Sequence, residues 1–198
     1  MKGDEHLQID DIIHGCQLGD MDCFEELYKL YFNKAFGTAY IISGQKGLAE
    51  DIVQEAFLIC YKSIKYLKEP GAFNTWFYRI VVRESWKMAK TKKSSLENFN
   101  DGITSHELIQ STLDNSVDDL CNKLLLQQSI KSLKLPLKTV LILYYYNDMS
   151  IKEISKVLGC FEGTVKSRLF KARKILQNEL SPYYDSFVKP LDLKRMEA

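Results

Sequence analysis

The sequence lacks the long apolar segments of a membrane or secreted protein. Its longest apolar runs, such as Thr139 to Tyr146, are far shorter than the ~20 residues that cross a bilayer. The first residues, MKGDEHLQIDD, contain no apolar stretch of the kind found in signal peptides. We therefore expect the chain to stay in the cytoplasm and to insert in no membrane.

Cysteine and histidine are too few and too scattered to hold a metal ion or a disulfide framework. The cysteines form no CxxC pair, and none lies at zinc-binding spacing from a histidine. We expect reduced thiols, no metal site and no cofactor. The residues concerned are Cys16, Cys23, Cys60, Cys121 and Cys160, with His6, His14 and His106.

Sustained alternation of apolar and polar residues, the mark of half-buried strands, is also missing. Instead, apolar residues recur at helical spacing over Cys23 to Ser43, Leu48 to Leu67 and Phe73 to about Ala89. Thr139 to Tyr146 has the composition of a buried strand, but Pro136 suits the first position of a helix. We predict an all-α protein. Core candidates in the third helix are Phe73, Trp76, Phe77, Ile80, Val81 and Val82.

Charge divides the chain unevenly. The net charge of +1 hides a C-terminal part, residues 121–198, with 14 basic and 7 acidic side chains. Residues 91–120 are acidic and rich in Ser, Thr, Asn and Asp, which is typical of a flexible linker. We predict two small helical domains, 1–93 and 121–181, joined by a linker at 94–120 and followed by a tail at 182–198.

A basic helix is predicted near the C-terminus. Five cations fall between Lys166 and Lys174. A stripe of Val165, Leu169, Ala172 and Leu176 would face the core, so the small, hydroxylic, aromatic and cationic side chains of the other face point outward. That face suits a DNA groove, although a solvated basic helix would show the same pattern.

The preceding residues favour DNA. Ser150 and Glu153 form a capping-box pattern, and Gly159 suits the end of a short helix. A turn at 159–162 then leads into the basic helix, which is the spacing of a helix-turn-helix whose second helix enters the major groove. A helical hairpin without a ligand is the alternative, but it would not need an exposed Phe170 among cations.

A second candidate surface lies on the helix that contains Leu58. Asp51, Glu55 and Leu58 share one face with Gln54 at its edge, while apolar residues cover the other face. An exposed leucine among carboxylates fits a docking surface, and equally a solvated face.

The chain resembles the extracytoplasmic-function (ECF) sigma factors of the bacterial sigma-70 family. LAEDIVQEAFLICYKSI resembles the family's region 2.2, with the D-x-x-Q-E-x-F signature at Asp51, Gln54, Glu55 and Phe57. AFNTWFYRIVVRESW is similar to the region that follows, and EGTVKSRLFKAR is similar to the recognition helix of region 4. Two positions depart from the pattern, because Phe161 replaces a frequent proline and Arg83 a frequent asparagine.

The resemblance implies a subunit that binds the RNA polymerase core, directs it to promoters and assists DNA melting, with no catalysis of its own. It also implies an anti-sigma partner that holds the chain, which in this family is often anchored in the membrane. Two rival interpretations remain: a two-domain regulator that binds DNA unaided, and an adaptor that caps polymerase without reading DNA. The implied core-binding residues are Asp51, Gln54, Glu55 and Leu58. The implied minus-ten residues are Lys65, Tyr66, Asn74, Trp76, Arg79 and Arg83. The implied minus-thirty-five residues are Gly163, Thr164, Lys166, Ser167, Arg168, Phe170, Lys171 and Lys174.

Overall fold

A computed structural model describes residues 2–95 and 126–181, and every regular element in those ranges is helical. This agrees with the predicted all-α class. The elements are α1 (Lys2–Leu18), α2 (Met21–Ser43), α3 (Lys46–Ser63), α4 (Phe73–Ser95), α5 (described at 126–132), α6 (Leu135–Tyr145), α7 (Ile151–Leu158) and α8 (Glu162–Leu180), with 3₁₀ turns at Ile64–Tyr66 and Pro70–Ala72.

Helices α1 to α4 form an N-terminal unit around an aromatic core. The rings of Phe57 and Phe77 lie 4.9 Å apart, and Tyr31 meets the edge of Phe73 at 5.0 Å. Phe73 is 1% exposed and Phe77 is fully buried, whereas Trp76 is only half-buried. Phe73 is therefore a core residue, as expected, and Trp76 keeps part of its ring at the surface.

Local signals set the ends of α2. The Asp20 carboxylate accepts hydrogen bonds from the backbone N–H groups of Asp22 and Cys23, at 2.8 and 3.3 Å. Gly44 ends the helix with φ of 77°, a left-handed conformation that glycine adopts without steric cost. The predicted break at 44–47 is shorter than expected, because α3 already begins at Lys46.

Helices α5 to α8 form a C-terminal unit. The segment from Thr139 to Tyr145 is helical, which confirms the helix over the strand. Pro136 is the second residue of α6, one position later than predicted, where its missing N–H still leaves no helical hydrogen bond broken. Ser150 and Glu153 form the predicted capping box, and Gly159 ends α7 with φ of 62°.

Two features of the helices were not predicted. The sequence does not predict helix α1, because its residues follow no clear apolar periodicity. Helix α4 continues to Ser95, past the expected domain end at residue 93. The predicted linker beyond residue 95 and the tail at 182–198 lie outside the described residues.

The N-terminal and C-terminal units pack against each other, with α4 beside α7 and α2 beside α6. Trp86 Nε1 on α4 donates a hydrogen bond to Thr139 Oγ1 on α6 at 2.9 Å. Thr38 Oγ1 on α2 donates to Asn147 Oδ1 at 3.1 Å. These contacts join residues that are 53 and 109 positions apart in the sequence.

Candidate functional site

Helix α8 presents two different faces. Val165 and Ala172 are fully buried, while Leu169 and Leu176 are 3% and 7% exposed. This stripe packs the helix onto α6 and α7. Because the stripe faces inward, the opposite side of α8 faces solvent.

The outer face of α8 carries the residues that the sequence predicts for the minus-thirty-five element. Phe170 is 59% exposed. Thr164 and Arg168 are half-buried at the edges of the face. The exposed residues are Gly163, Lys166, Ser167, Phe170, Lys171 and Lys174.

The two helices of the predicted helix-turn-helix begin differently, because α7 has a side-chain cap and α8 has none. Glu153 Oε2 accepts from the Ser150 backbone N–H at 2.8 Å, and the Ser150 hydroxyl accepts from the Glu153 N–H at 3.2 Å. Phe161 stands at the N-cap of α8 without a capping side-chain bond and is 88% exposed. Its ring therefore projects into solvent beside the start of α8.

Arg173 of α8 contacts two aromatic rings of α6. Its guanidinium lies over the rings of Tyr144 and Tyr145, 5.3 Å from each centroid, and the residue is half-buried. A cation held over aromatic faces in this way stabilises the packing of α8 on α6. The sequence predicted only that Arg173 lies among other cations, without this partner.

Helix α3 carries the predicted core-binding surface. Asp51, Gln54 and Leu58 are exposed and Glu55 is half-buried. Ala49, Ile52, Val53, Ala56, Phe57 and Cys60 anchor the opposite face of α3 in the core. Leu58 is 45% exposed, so an apolar side chain lies among carboxylates as the helical spacing indicates.

Two tyrosines extend this surface beyond the predicted residues. Tyr61 lies one turn from Leu58 and is 48% exposed, and Tyr28 on α2 is 40% exposed. The Phe24 ring meets Tyr61 at 5.1 Å, and Tyr28 lies 4.6 Å from Phe57. The helical spacing of Leu58 and Tyr61 indicates from the sequence alone that Tyr61 belongs to this surface. Tyr28 of α2 joins the surface only through tertiary packing.

The predicted minus-ten residues occupy the 3₁₀ turn at Ile64–Tyr66 and the first half of α4. Gln17 on α1 holds this turn, because its Nε2 donates to the backbone oxygen of Leu67 at 2.7 Å. Tyr66 is 73% exposed, and the Lys65 ammonium lies 5.1 Å from the centre of its ring. Asn74 is half-buried at the beginning of α4.

On α4 the two predicted arginines have different surroundings. Arg79 and Arg83 are both exposed, one helical turn apart. The Arg79 guanidinium donates a hydrogen bond to the backbone oxygen of Lys156, at the end of α7. The structure therefore places a predicted DNA contact against the other unit.

The described residues contain no cluster of three or more metal-ligating side chains of the His, Cys, Asp or Glu type. Over the same ranges, no helix combines the length and the apolar composition that a membrane span requires.

Family models match the two units separately. The model described as Sigma-70 region 2 matches residues 27–94. The model described as Sigma-70, region 4 matches residues 123–176. Both exposed faces described above, on α3 and on α8, lie within these matches.

Curated relatives match over most of the chain. The ECF RNA polymerase sigma factor SigW of Bacillus subtilis is 30% identical over 170 residues, which cover 82% of this chain and 91% of that protein. The ECF RNA polymerase sigma-E factor of Haemophilus influenzae is 29% identical over 197 residues, covering 90% and 98%.

Solved structures share the fold. CnrH, solved in complex with the cytosolic domain of CnrY, aligns with a TM-score of 0.67 at 16% identity, over 88% of this chain and 97% of that one. The sigma factor RpoE of Bartonella quintana, solved with the anti-sigma factor NepR, gives 0.66 at 20% identity, over 80% and 96%. The two family models and the curated relatives thus point to the same family. The chain belongs to the ECF RNA polymerase sigma factors of the sigma-70 family.

Proposed function

We propose that this sigma factor uses three surfaces: α3 for the polymerase core, the turn before α4 with α4 itself for the minus-ten element, and α8 for the minus-thirty-five element. The observation that carries the proposal is the outer face of α8, where exposed cations surround an exposed phenylalanine on a helix fixed by its buried stripe. The chain acts by binding and positioning, and RNA synthesis is left to the polymerase.

The outer face of α8 has the chemistry of base and phosphate readout. Lys166 and Lys171 donate to guanine O6 and N7 or to phosphates, and Ser167 donates to a base edge or to the backbone. Phe170 meets a thymine methyl group. Gly163 and Thr164 lie in the first turn of α8, where a small residue allows close approach to DNA, and Arg168 and Lys174 neutralise phosphates.

The α3 surface offers carboxylates around an apolar centre. Asp51 and Glu55 attract a basic partner, while Leu58 with the adjacent Tyr61 supplies apolar contact area. The partner is the coiled coil of the largest polymerase subunit.

The minus-ten surface offers stacking and cations. A melted strand needs aromatic rings for its bases and positive charge for its phosphates, and stacking contributes about 1–3 kcal/mol per base. Tyr66 and the exposed part of Trp76 supply the rings, with Lys65, Arg79 and Arg83 as cations and Asn74 as a polar contact.

We expect an anti-sigma protein to bind the free chain in the cytoplasm and to hold it at the membrane when that protein is anchored there. The exposed Leu58 and Phe170 give such a partner apolar anchors on both units. Purification from the native host in an uninhibited, constitutively active form contradicts this expectation.

Run-off transcription with purified core polymerase over a randomised promoter pool tests the function. We expect promoter-specific transcripts only with core and protein together, and little duplex binding by the protein alone. Tight, palindromic and core-independent DNA binding would instead identify a regulator of the two-domain type.

The docking surface is tested by Leu58→Ala. Leu58 is the apolar centre of the α3 surface, so we expect a loss of core affinity of about 1–3 kcal/mol, measured by fluorescence anisotropy. Leu30→Ala is the matched control, because Leu30 is also exposed, at 55% against 45% for Leu58, and lies two residues after Tyr28 on a different face of α2. Equal affinity losses in the two variants would contradict the assignment of α3.

A further inference from the structure

The outer face of α3 is acidic around an apolar centre. Asp51 is exposed and Glu55 is half-buried, and both share this face with Leu58, which is 45% exposed. Tyr61 adds an exposed ring at the edge of the face, and Lys62 lies at its far end. An apolar centre inside a charged rim is a common composition for a protein interface. The α3 face therefore fits a partner that brings an apolar anchor and positive charge.

The outer face of α8 has the same layout with the opposite charge. Lys166, Lys171 and Lys174 surround Phe170 at helical spacing, and all four side chains are exposed. The acidic residues of α8 are confined to its first and next-to-last positions. A basic face with an aromatic centre complements an acidic face with an apolar centre. The chain thus carries both halves of a complementary pair.

The two faces lie on separate outer sides of the molecule. Helix α3 packs on α2, α4 and the first 3₁₀ turn, and α8 packs on α6 and α7. The contacts that join the two units run between α4 and α7 and between α2 and α6. The α3 and α8 faces therefore both point to solvent, where a second molecule can reach them. The net charge of +1 gives two copies little overall repulsion.

We propose that the free chain self-associates head to tail, with the α3 face of one copy receiving the α8 face of the next. The Phe170 ring then packs on Leu58 and Tyr61, while lysines of α8 pair with carboxylates of α3. Because the contact joins two different faces, it does not close as a two-fold dimer does, and it repeats from copy to copy. The inference needs only the two exposed faces and does not rest on the proposed function.

Sedimentation velocity of the full-length protein over a concentration series measures this association. We expect the weight-average mass to rise with concentration at about 0.05 M salt, where the Debye length is roughly 14 Å. The association should weaken about tenfold by about 0.5 M salt, where the Debye length is roughly 4 Å.

Two variants each remove one face. Leu58→Arg places a cation at the centre of the α3 face, and Lys171→Glu places a carboxylate beside Phe170. The matched controls are Leu30→Arg on α2 and Lys152→Glu on α7, because both native residues are exposed and lie outside the two faces. We expect the two face variants to stay monomeric and the two controls to associate as the wild type does.

Mixing the two face variants separates the proposed contact from any symmetric or non-specific one. Leu58→Arg keeps an intact α8 face, and Lys171→Glu keeps an intact α3 face. An equimolar mixture should therefore form heterodimers that grow no further, although each variant alone is monomeric. A symmetric contact would give no such recovery, because every pair in the mixture would contain a damaged face.

Four results would each overturn the proposal: a wild type that stays monomeric at low salt, undiminished association in either face variant, equal losses in the controls, or a mixture that stays monomeric. If circular dichroism shows that Leu58→Arg is unfolded, Asp51→Lys takes its place in every comparison, since Asp51 is an exposed residue of the same face. Failure of the wild type in run-off transcription would count against the proposed function and leave the sedimentation result standing.

Discussion

Lys171 and Lys174 lie one helical turn apart on α8, yet we expect them to contribute differently to DNA binding. Both are exposed, but Lys171 neighbours Ser167 and Phe170 on the outer face, while Lys174 lies further along the helix. Lys171→Ala should therefore cost about 1–3 kcal/mol for the cognate sequence only, whereas Lys174→Ala should weaken all DNA binding and lower the salt slope by about one.

Anisotropy titrations on cognate and scrambled duplexes, at several salt concentrations, measure both effects. Equal losses on the two duplexes for Lys171→Ala would show that it contacts phosphate rather than a base.

A cysteine thiol and a tyrosine hydroxyl inside the N-terminal unit make its stability sensitive to alkaline pH. Burial raises the pKa of the Cys60 thiol from 9.0 to about 12 and that of the Tyr31 hydroxyl from 10.0 to about 12. Above about pH 9 the unfolded chain releases these protons while the folded chain keeps them, so rising pH favours unfolding. The free energy of unfolding should fall by up to about 1.4 kcal/mol per pH unit for each group.

Urea unfolding between about pH 8 and about pH 11 measures this slope. Cys60→Ala removes one of the two groups, so its slope should be shallower than that of the wild type, whatever the cost of the cavity at neutral pH. An identical slope would mean that the Cys60 thiol ionises as easily in the folded protein as in the unfolded chain.

At the scale of the single element, α7 is short and depends on its caps. It has only eight residues, and isolated helices of that length are unstable in water. The capping box between Ser150 and Glu153 satisfies two backbone N–H groups that the helix leaves unpaired. Because α7 supports α8 and also meets α4, its first turn affects both units.

Ser150→Ala should lower the free energy of unfolding by about 1 kcal/mol, measured by urea denaturation. Ser155→Ala is the matched control, because the Ser155 hydroxyl bonds only to a carbonyl of its own helix. We expect little change or a small gain there, since alanine has the higher helix propensity. Comparable losses in both variants would assign the effect to serine in general and not to the cap.

At the scale of the whole molecule, we expect the segment between the units to act as a tether. Two weak binding events on one promoter become a single tethered event when the linker keeps the second surface at high effective concentration. We expect the length and charge of this segment to matter for the effect, and the order of its residues not to.

Shuffling residues 96–120, with length and composition preserved, should therefore leave run-off transcription from a selected promoter within about twofold of the wild type. Doubling the segment with a second shuffled copy should lower it, because effective concentration falls with tether length. A large loss on shuffling alone would indicate that the segment is recognised in a sequence-specific way.

Much of the fold and of the α8 site follows from local patterns. Helical periodicity, the capping box and Gly159 involve residues within about four positions of one another, so they are legible in the sequence. The same holds for the stripe from Val165 to Leu176 and for the exposed Leu58. These features act through neighbouring turns of one helix, whose geometry is known in advance.

Tertiary structure alone decided which segments that are distant in the sequence contact each other. Trp86 meets Thr139 across 53 residues and Arg79 meets Lys156 across 77, and no local pattern encodes such pairs. The same is true of Arg173, which packs on Tyr144 and Tyr145 of another helix. Periodicity shows which side of a helix is apolar, but which helix covers it depends on the packing of the complete chain. The accessibility of α4 is for that reason a property of the folded molecule.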